Sequence, residues 1–174
     1  MNEVRIGESF IGDGANAAHI NTVLGRRDGP VGAAWATALA TPREGHVPFM
    51  VVLQPGLAVK PFTLFVNKAA PASEAHGLLT WGAAQAGVAA GVTAAVDEGV
   101  IERDGVDDLV LIAAVWVNPA ASDEEAVFAN NREATLTALR NSAAGLPALD
   151  DLLAARDEPR NPFFRTAGND GGRT

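Results

Sequence analysis

"GDGANAAHINTVLG", residues 12–25, joins a glycine-rich turn to a run that carries a single histidine. The element after the turn decides the fold. A dinucleotide-binding fingerprint needs strand, glycine turn and helix in that order. Here residues 17–24 read as a strand, and residues 3–11 before the turn read as another. Glycine tolerates φ > 0 and Asp-Gly favours chain reversal, so Gly12-Asp13-Gly14 is the turn of a β-hairpin with a slightly long loop. Successive strand residues point to opposite faces. Ala18, Ile20, Thr22 and Leu24 then share the more apolar side, and Ala17, His19, Asn21 and Val23 share the other. His19 and Asn21 therefore sit together on a face that is neither a clean core nor a clean solvent face.

The rest of the chain supplies the partners for that hairpin. Residues 30–40 read as a helix with Pro30 in the first turn, where its missing N–H costs nothing. Residues 50–53 read as a short buried strand, residues 54–59 as a loop around Pro55-Gly56, and residues 62–67 as a strand. Residues 73–98 read as one long helix, with Ser73 as N-cap and Gly99 just past its end. Its middle, "GAAQAGVAAGVTAAV", is small on every side, which fits close approach to a sheet or to another subunit. Gln85 is the one long polar side chain there. Residues 108–117, "DLVLIAAVWV", are a continuous apolar run and read as a central strand covered on both faces. Residues 122–143 read as a second long helix, with Ser122 and Glu125 as a capping box. A short helix spans 147–156. "NPFFR", residues 161–165, reads as a docked apolar patch, and residues 166–174 as a disordered tail. The layout is one α+β domain over 1–165, a mostly antiparallel sheet with helices packed on one side.

Bulk properties narrow the function. A chain of 174 residues is long enough for a real core. A net charge of −8 makes nucleic acid and anionic membranes poor partners. No apolar run reaches the roughly 18 uncharged residues of a membrane span. "MNEVRIGESF" lacks the basic and apolar regions of a signal peptide, so a cytoplasmic location is the default expectation. With no cysteine, thiolate zinc sites and cysteine nucleophiles are excluded. The three histidines have no metal-ligand spacing, so no metal site is expected. His46 and His76 read as surface residues. Only two lysines exist, Lys60 and Lys68. Lys68 reads either as an edge lysine guarding the sheet or as an anion or aldehyde contact. Taken alone, His19 is open to a structural or a catalytic reading.

Several blocks together carry a resemblance. They are "GESFIGDGANAAHIN" (residues 7–21), "KPFTLFVNK" (60–68), "GAAQAGVAAGV" (82–92), "DDLVLIAAVWV" (107–117), "REAT" (132–135) and "NPFF" (161–164). In this order they resemble the formaldehyde-activating enzymes, the tetrahydromethanopterin hydro-lyases. The resemblance implies a fold like the second domain of ribosomal protein S5. It implies a homopentamer whose active sites lie between subunits. The implied lyase reaction condenses formaldehyde with a reduced pterin, as co-substrate, to give the methylene-pterin and water, with no permanently bound cofactor. His19 matches the family's proton donor, and Lys68 and Gln85 match its pterin contacts. Met50 stands for a leucine, Asn21 for an aspartate and Ala70 for a threonine. Asparagine cannot accept a proton and removes a charge that would raise the pKa of a neighbouring histidine. A divergent paralogue using another one-carbon carrier or amine, or a non-catalytic sensor of formaldehyde or pterin, is the alternative.

Overall fold

The hairpin forms as its turn chemistry requires. In a computed structural model that describes residues 4–161, β1 (Arg5–Ile11) pairs antiparallel with β2 (Ala18–Arg26). Gly12 and Gly14 take φ of 85° and 65°, values that L side chains rarely adopt. The loop is docked as well as turned. The Asn16 side-chain oxygen accepts from the backbone N–H groups of Ser122 and Asp123, at 3.1 and 3.2 Å. Asn130 returns a bond to the Asn16 carbonyl at 2.9 Å. The loop thus fastens to the start of the last long helix.

After β2 come α1 (Pro30–Ala40), β3 (Phe49–Met50), β4 (Val52–Gln54), β5 (Leu57–Ala58) and β6 (Phe62–Asn67). The expected buried strand over 50–53 is two short strands instead. Phe49 and Val51 point inward, Phe49 stacking on Phe65, while Met50 and Leu53 are exposed. The expected loop over 54–59 closes a small β4–β5 hairpin. The helix from residue 74 runs as α2 (Glu74–Leu79), a π-helical turn (Thr80–Ala84) and α3 (Gln85–Asp97). Ser73 caps it, its hydroxyl accepting from the His76 N–H at 3.1 Å. β7 (Leu109–Val117) and α4 (Glu124–Ala143) complete the layers. The cap of α4 is Asp123, which accepts from the Ala126 N–H at 3.0 Å, and not the expected Ser122–Glu125 box. An acceptor one residue closer to the helix takes the role, and its carboxylate makes a stronger, charge-assisted bond to the cap N–H than a hydroxyl would.

The sheet order is β1-β2-β7-β6-β3, antiparallel except for the β6–β7 pair. α3 and α4 pack on each other, and α4 packs on β1 and β2. Between them lies the core, including Ile20, Leu24, Phe65, Leu111, Val115, Val88, Val92 and Leu139. α1 packs against β2 and β7. β7 departs from the expectation of full cover on both faces. Val110, Leu111, Ala113, Val115 and Val117 are buried, whereas Ile112, Ala114 and Trp116 are half-buried.

The small residues of α3 have an intramolecular cause. A Cβ on Gly87 would lie 2.5 Å from the Phe128 carbonyl oxygen, and one on Gly91 would lie 2.6 Å from that of Arg132. Gly87 and Gly91 therefore serve close contact with α4. Against the sequence expectation, the 24-residue run Glu74–Asp97 is long and apolar enough to cross a membrane by length and composition, with an 18-residue window of mean hydropathy 1.2. Half of that stretch is buried inside the fold, as a core helix requires.

Among the described residues, 145–161 belong to a second compact unit, of which α5 (Leu149–Ala154) is the regular part. The expected patch over 161–165 lies beyond the described residues except for Asn161, and the expected tail over 166–174 lies wholly outside them.

Candidate active site

Strand register builds the site. Across β1, β2 and β7, Phe10 lies beside His19 and His19 beside Trp116. One step along, Glu8 lies beside Asn21 and Asn21 beside Ala114. In β6, alternation puts Leu64, Val66 and then Lys68 on the same face, and the Lys68 N–H bonds to the Val115 carbonyl at 2.8 Å. His19, Asn21, Glu8 and Lys68 thus share the sheet face that α3 and α4 leave open.

The polar groups engage one another. His19 Nε2 donates to a Glu8 carboxylate oxygen at 3.0 Å. The Phe10 ring lies against the imidazole, with centroids 5.9 Å apart. Lys68 Nζ makes a long bond of 3.4 Å to the His19 carbonyl. Burial, with the Lys68 ammonium second, holds the His19 pKa below its ordinary 6.5, outweighing the upward pull of Glu8. Burial also lowers Lys68 from 10.5 to about 8, against the opposing pull of Glu8. The site therefore combines an imidazole braced by a carboxylate with an amine of reduced basicity.

The lowered lysine has a stability consequence. Below pH 8 the amine is charged in the folded and the unfolded chain alike, and only the folded chain bears its partial desolvation. Between about 8 and 10.5 the unfolded chain binds more protons, so wild-type stability rises with pH across that window. Lys68→Met removes this contribution. Urea midpoints at pH 7 and pH 10 check it: the wild type gains on the variant at the higher pH.

The remaining residues matched by resemblance lie elsewhere. Met50 pairs with Leu64 and so shares the open face, but at the opposite edge of the sheet. It is three strand spacings across and four residues along from His19, roughly 20 Å by standard sheet dimensions. Gln85 is buried at the start of α3, its side-chain oxygen accepting from the Val52 N–H at 2.7 Å. Gln85 therefore meets the chain two residues past Met50, and Met50 lies apart from His19. Ala70 is exposed just past Lys68, where a Cβ on Gly45 would come 2.7 Å from its methyl group.

Two other histidines acquire roles that local sequence did not signal. His76, expected on the surface, is buried. Its Nδ1 accepts from the Ala72 N–H, so Nε2–H donates to the Val117 carbonyl, both at 3.0 Å. It is a structural bridge from α2 to the end of β7. His46 is half-buried, and its Nδ1–H donates to the Asn67 carbonyl at 3.0 Å. The Asn67 amide in turn donates to the carbonyls of Gly45 and Ala69, so this loop braces the chain on both sides of Lys68. Glu8 is the site residue that sequence reasoning missed. Counting register back from the hairpin loop would have placed it beside Asn21 and within reach of His19.

Comparison with known proteins finds relatives that cover most of this chain. Residues 6–164 match the family model for formaldehyde-activating enzyme. The chain is 39% identical over 158 residues to the 5,6,7,8-tetrahydromethanopterin hydro-lyase of Methanosarcina barkeri (strain Fusaro / DSM 804), covering 91% of this chain and 89% of that protein. It is 37% identical to the bifunctional enzyme Fae/Hps of Archaeoglobus fulgidus, over 92% of this chain and 41% of that protein. The corresponding bifunctional enzyme of Methanosphaera stadtmanae is 38% identical, over 91% and 39%. The chain thus spans about two fifths of these two longer relatives and nearly all of the first. On the extent of these matches, the chain belongs to the formaldehyde-activating enzyme family.

Proposed function

We propose that this protein condenses formaldehyde with tetrahydromethanopterin, or a closely related reduced pterin, releasing water and the methylene-pterin. The observation that carries the reading is the His19–Glu8 pair on an open sheet face that also presents Lys68. An amine of the pterin adds to formaldehyde to give a carbinolamine. Its hydroxyl leaves only after protonation, because hydroxide is a poor leaving group. His19 as imidazolium supplies that proton. Glu8, bound to Nε2, fixes the ring and stabilises the imidazolium, while Nδ1 is the nitrogen not committed to Glu8. The iminium that remains is closed by the pterin's second amine. No step requires a bound metal or redox cofactor as the source of the proton.

Asn21 does not return the lost carboxylate, but Glu8, its cross-strand neighbour, supplies one to His19. The changes at Asn21 and Ala70 alter what touches the pterin and leave the acid in place. They favour, as a second reading, a paralogue whose acceptor is another reduced pterin or amine.

The separation of His19, Asn21 and Lys68 from Met50 and Gln85 supports a site completed by a second copy. One chain then offers the acid, and its neighbour offers the Met50–Gln85 group as a pterin contact. The homopentamer, the ribosomal protein S5 domain 2-like fold, a single domain over 1–165 and a cytoplasmic location all go with this reading. The match over residues 6–164 supports the domain extent. Formaldehyde and reduced tetrahydromethanopterin are mixed with and without the protein, and methylene-pterin is followed by absorbance. Formation faster than the spontaneous rate is expected. Equal rates reject the pterin reading, and acceleration confined to another reduced pterin or amine establishes the second.

A further inference from the structure

We propose that Lys68 is a covalent formaldehyde carrier, its ε-amine capturing the aldehyde as an iminium on the face it shares with His19 and handing the methylene carbon to the acceptor amine. This rests on formaldehyde being the substrate of the site, and it concerns how the carbon is held before the acceptor receives it.

Three observations carry it. Lys68 is half-buried on the open face, with Nζ reaching the His19 carbonyl, so the amine and the acid belong to one site. Its strand end is braced from both sides by the Asn67 and His46 bonds, which holds the amine's point of attachment in place. Among the described residues Lys68 has no salt-bridge partner, whereas Lys60, the only other lysine, is paired with Asp107. The reduced basicity of Lys68 supports the same role. With a pKa of about 8, about a tenth of the amine is neutral at pH 7, against roughly one in 2,500 for an ordinary lysine. Only the neutral amine attacks a carbonyl.

Atoms and electrons balance through the sequence. The Nζ lone pair forms the C–N bond, the carbonyl π pair moves to oxygen, and a proton passes from nitrogen to oxygen. This gives a carbinolamine. His19 imidazolium protonates the hydroxyl, the C–O bond breaks, water leaves, and the nitrogen lone pair closes the C=N bond of the iminium. An acceptor amine adds to the iminium carbon. After proton transfer to Nζ, the Nζ–C bond breaks and the acceptor keeps the methylene as its own iminium. Its second amine closes the ring with loss of a proton. Lys68 ends as the free amine, and the sum is formaldehyde plus diamine giving methylene-diamine plus water.

The test needs no pterin. The wild-type protein is treated at pH 7 with equimolar formaldehyde and cyanoborohydride, which reduces an iminium to a stable N-methyl group. Peptide mass spectrometry then compares Lys68, Lys60 and the α-amine. The α-amine has an ordinary pKa close to that of Lys68, so it controls for basicity alone. Lys68 is expected to be methylated at least tenfold faster than either, with His19→Ala removing that lead. Methylation of Lys68 no faster than the α-amine overturns the proposal, while leaving condensation at the site untouched. A second readout uses turnover with reduced pterin. Lys68→Arg, which keeps the charge but forms no iminium, is expected to lose as much kcat as Lys68→Met. Recovery of kcat with arginine overturns the carrier role in favour of anion contact.

Discussion

Replacing His19 with alanine lowers the catalysed condensation rate by about 10²–10⁴-fold, the usual worth of a positioned acid. The fold should survive the change, because the side chain is half-buried at the open face and contributes nothing to the helix-covered core. The loss therefore falls on kcat, and circular dichroism should match the wild type. The pH profile gives the sign. An acid acts through its protonated form, and burial and Lys68 hold His19 below its ordinary value. The rate attributable to His19 accordingly declines as pH rises through a midpoint below 6.5. Glu8→Gln removes the group that pulls the pKa up, and moves this decline to lower pH. A wild-type rate from His19→Ala would remove the acid from the account.

The second large effect is structural. Gly91→Val lowers stability by at least about 3 kcal/mol, at the upper end of ordinary overpacking costs or beyond. The added Cβ would meet the Arg132 carbonyl oxygen at 2.6 Å and the Thr135 Cβ at 2.7 Å. Neither can yield cheaply, since one is helix backbone and the other belongs to a fully buried side chain whose hydroxyl is bonded to the Asn131 carbonyl. For a domain of this size the loss is a fall in Tm of roughly 6–12 °C. Gly82→Ala is the control, because a Cβ there meets nothing within 4 Å. Thermal unfolding of the two variants checks the claim, and an unchanged Tm for Gly91→Val contradicts the close α3–α4 approach.

Much of the fold was legible because local patterns were strong. The alternation of β2, the ends of β6 and the proline start of α1 follow from period and turn chemistry, and the structure agrees with each. What was lost depends on tertiary context. The apolar run of β7 does not reveal that one of its faces stays partly open. Ser122 has the right spacing for a cap, but the carboxylate one residue on takes the role. His76 looks like a helix-start surface residue until β7 arrives above it. In the site, His19 and Asn21 were readable as a shared face from strand period alone. Glu8 needed the hairpin register, and the joining of Lys68 to His19 needed the β6–β7 pairing. Gln85 and Met50 were matched by resemblance, but the distance of Met50 from His19 is a fact of topology that a linear motif does not carry.

That distance makes a shared site the most exposed part of the account. Two inactive variants, His19→Ala and Gln85→Met, place their defects in different halves of a site built from two chains. Co-expressed and purified as mixed assemblies, some interfaces pair an intact His19 with an intact Gln85. The account predicts that methylene-pterin formation returns in the mixed assembly, while each variant alone stays at the spontaneous rate. Mixed assemblies that remain as inactive as the separate variants would contradict it.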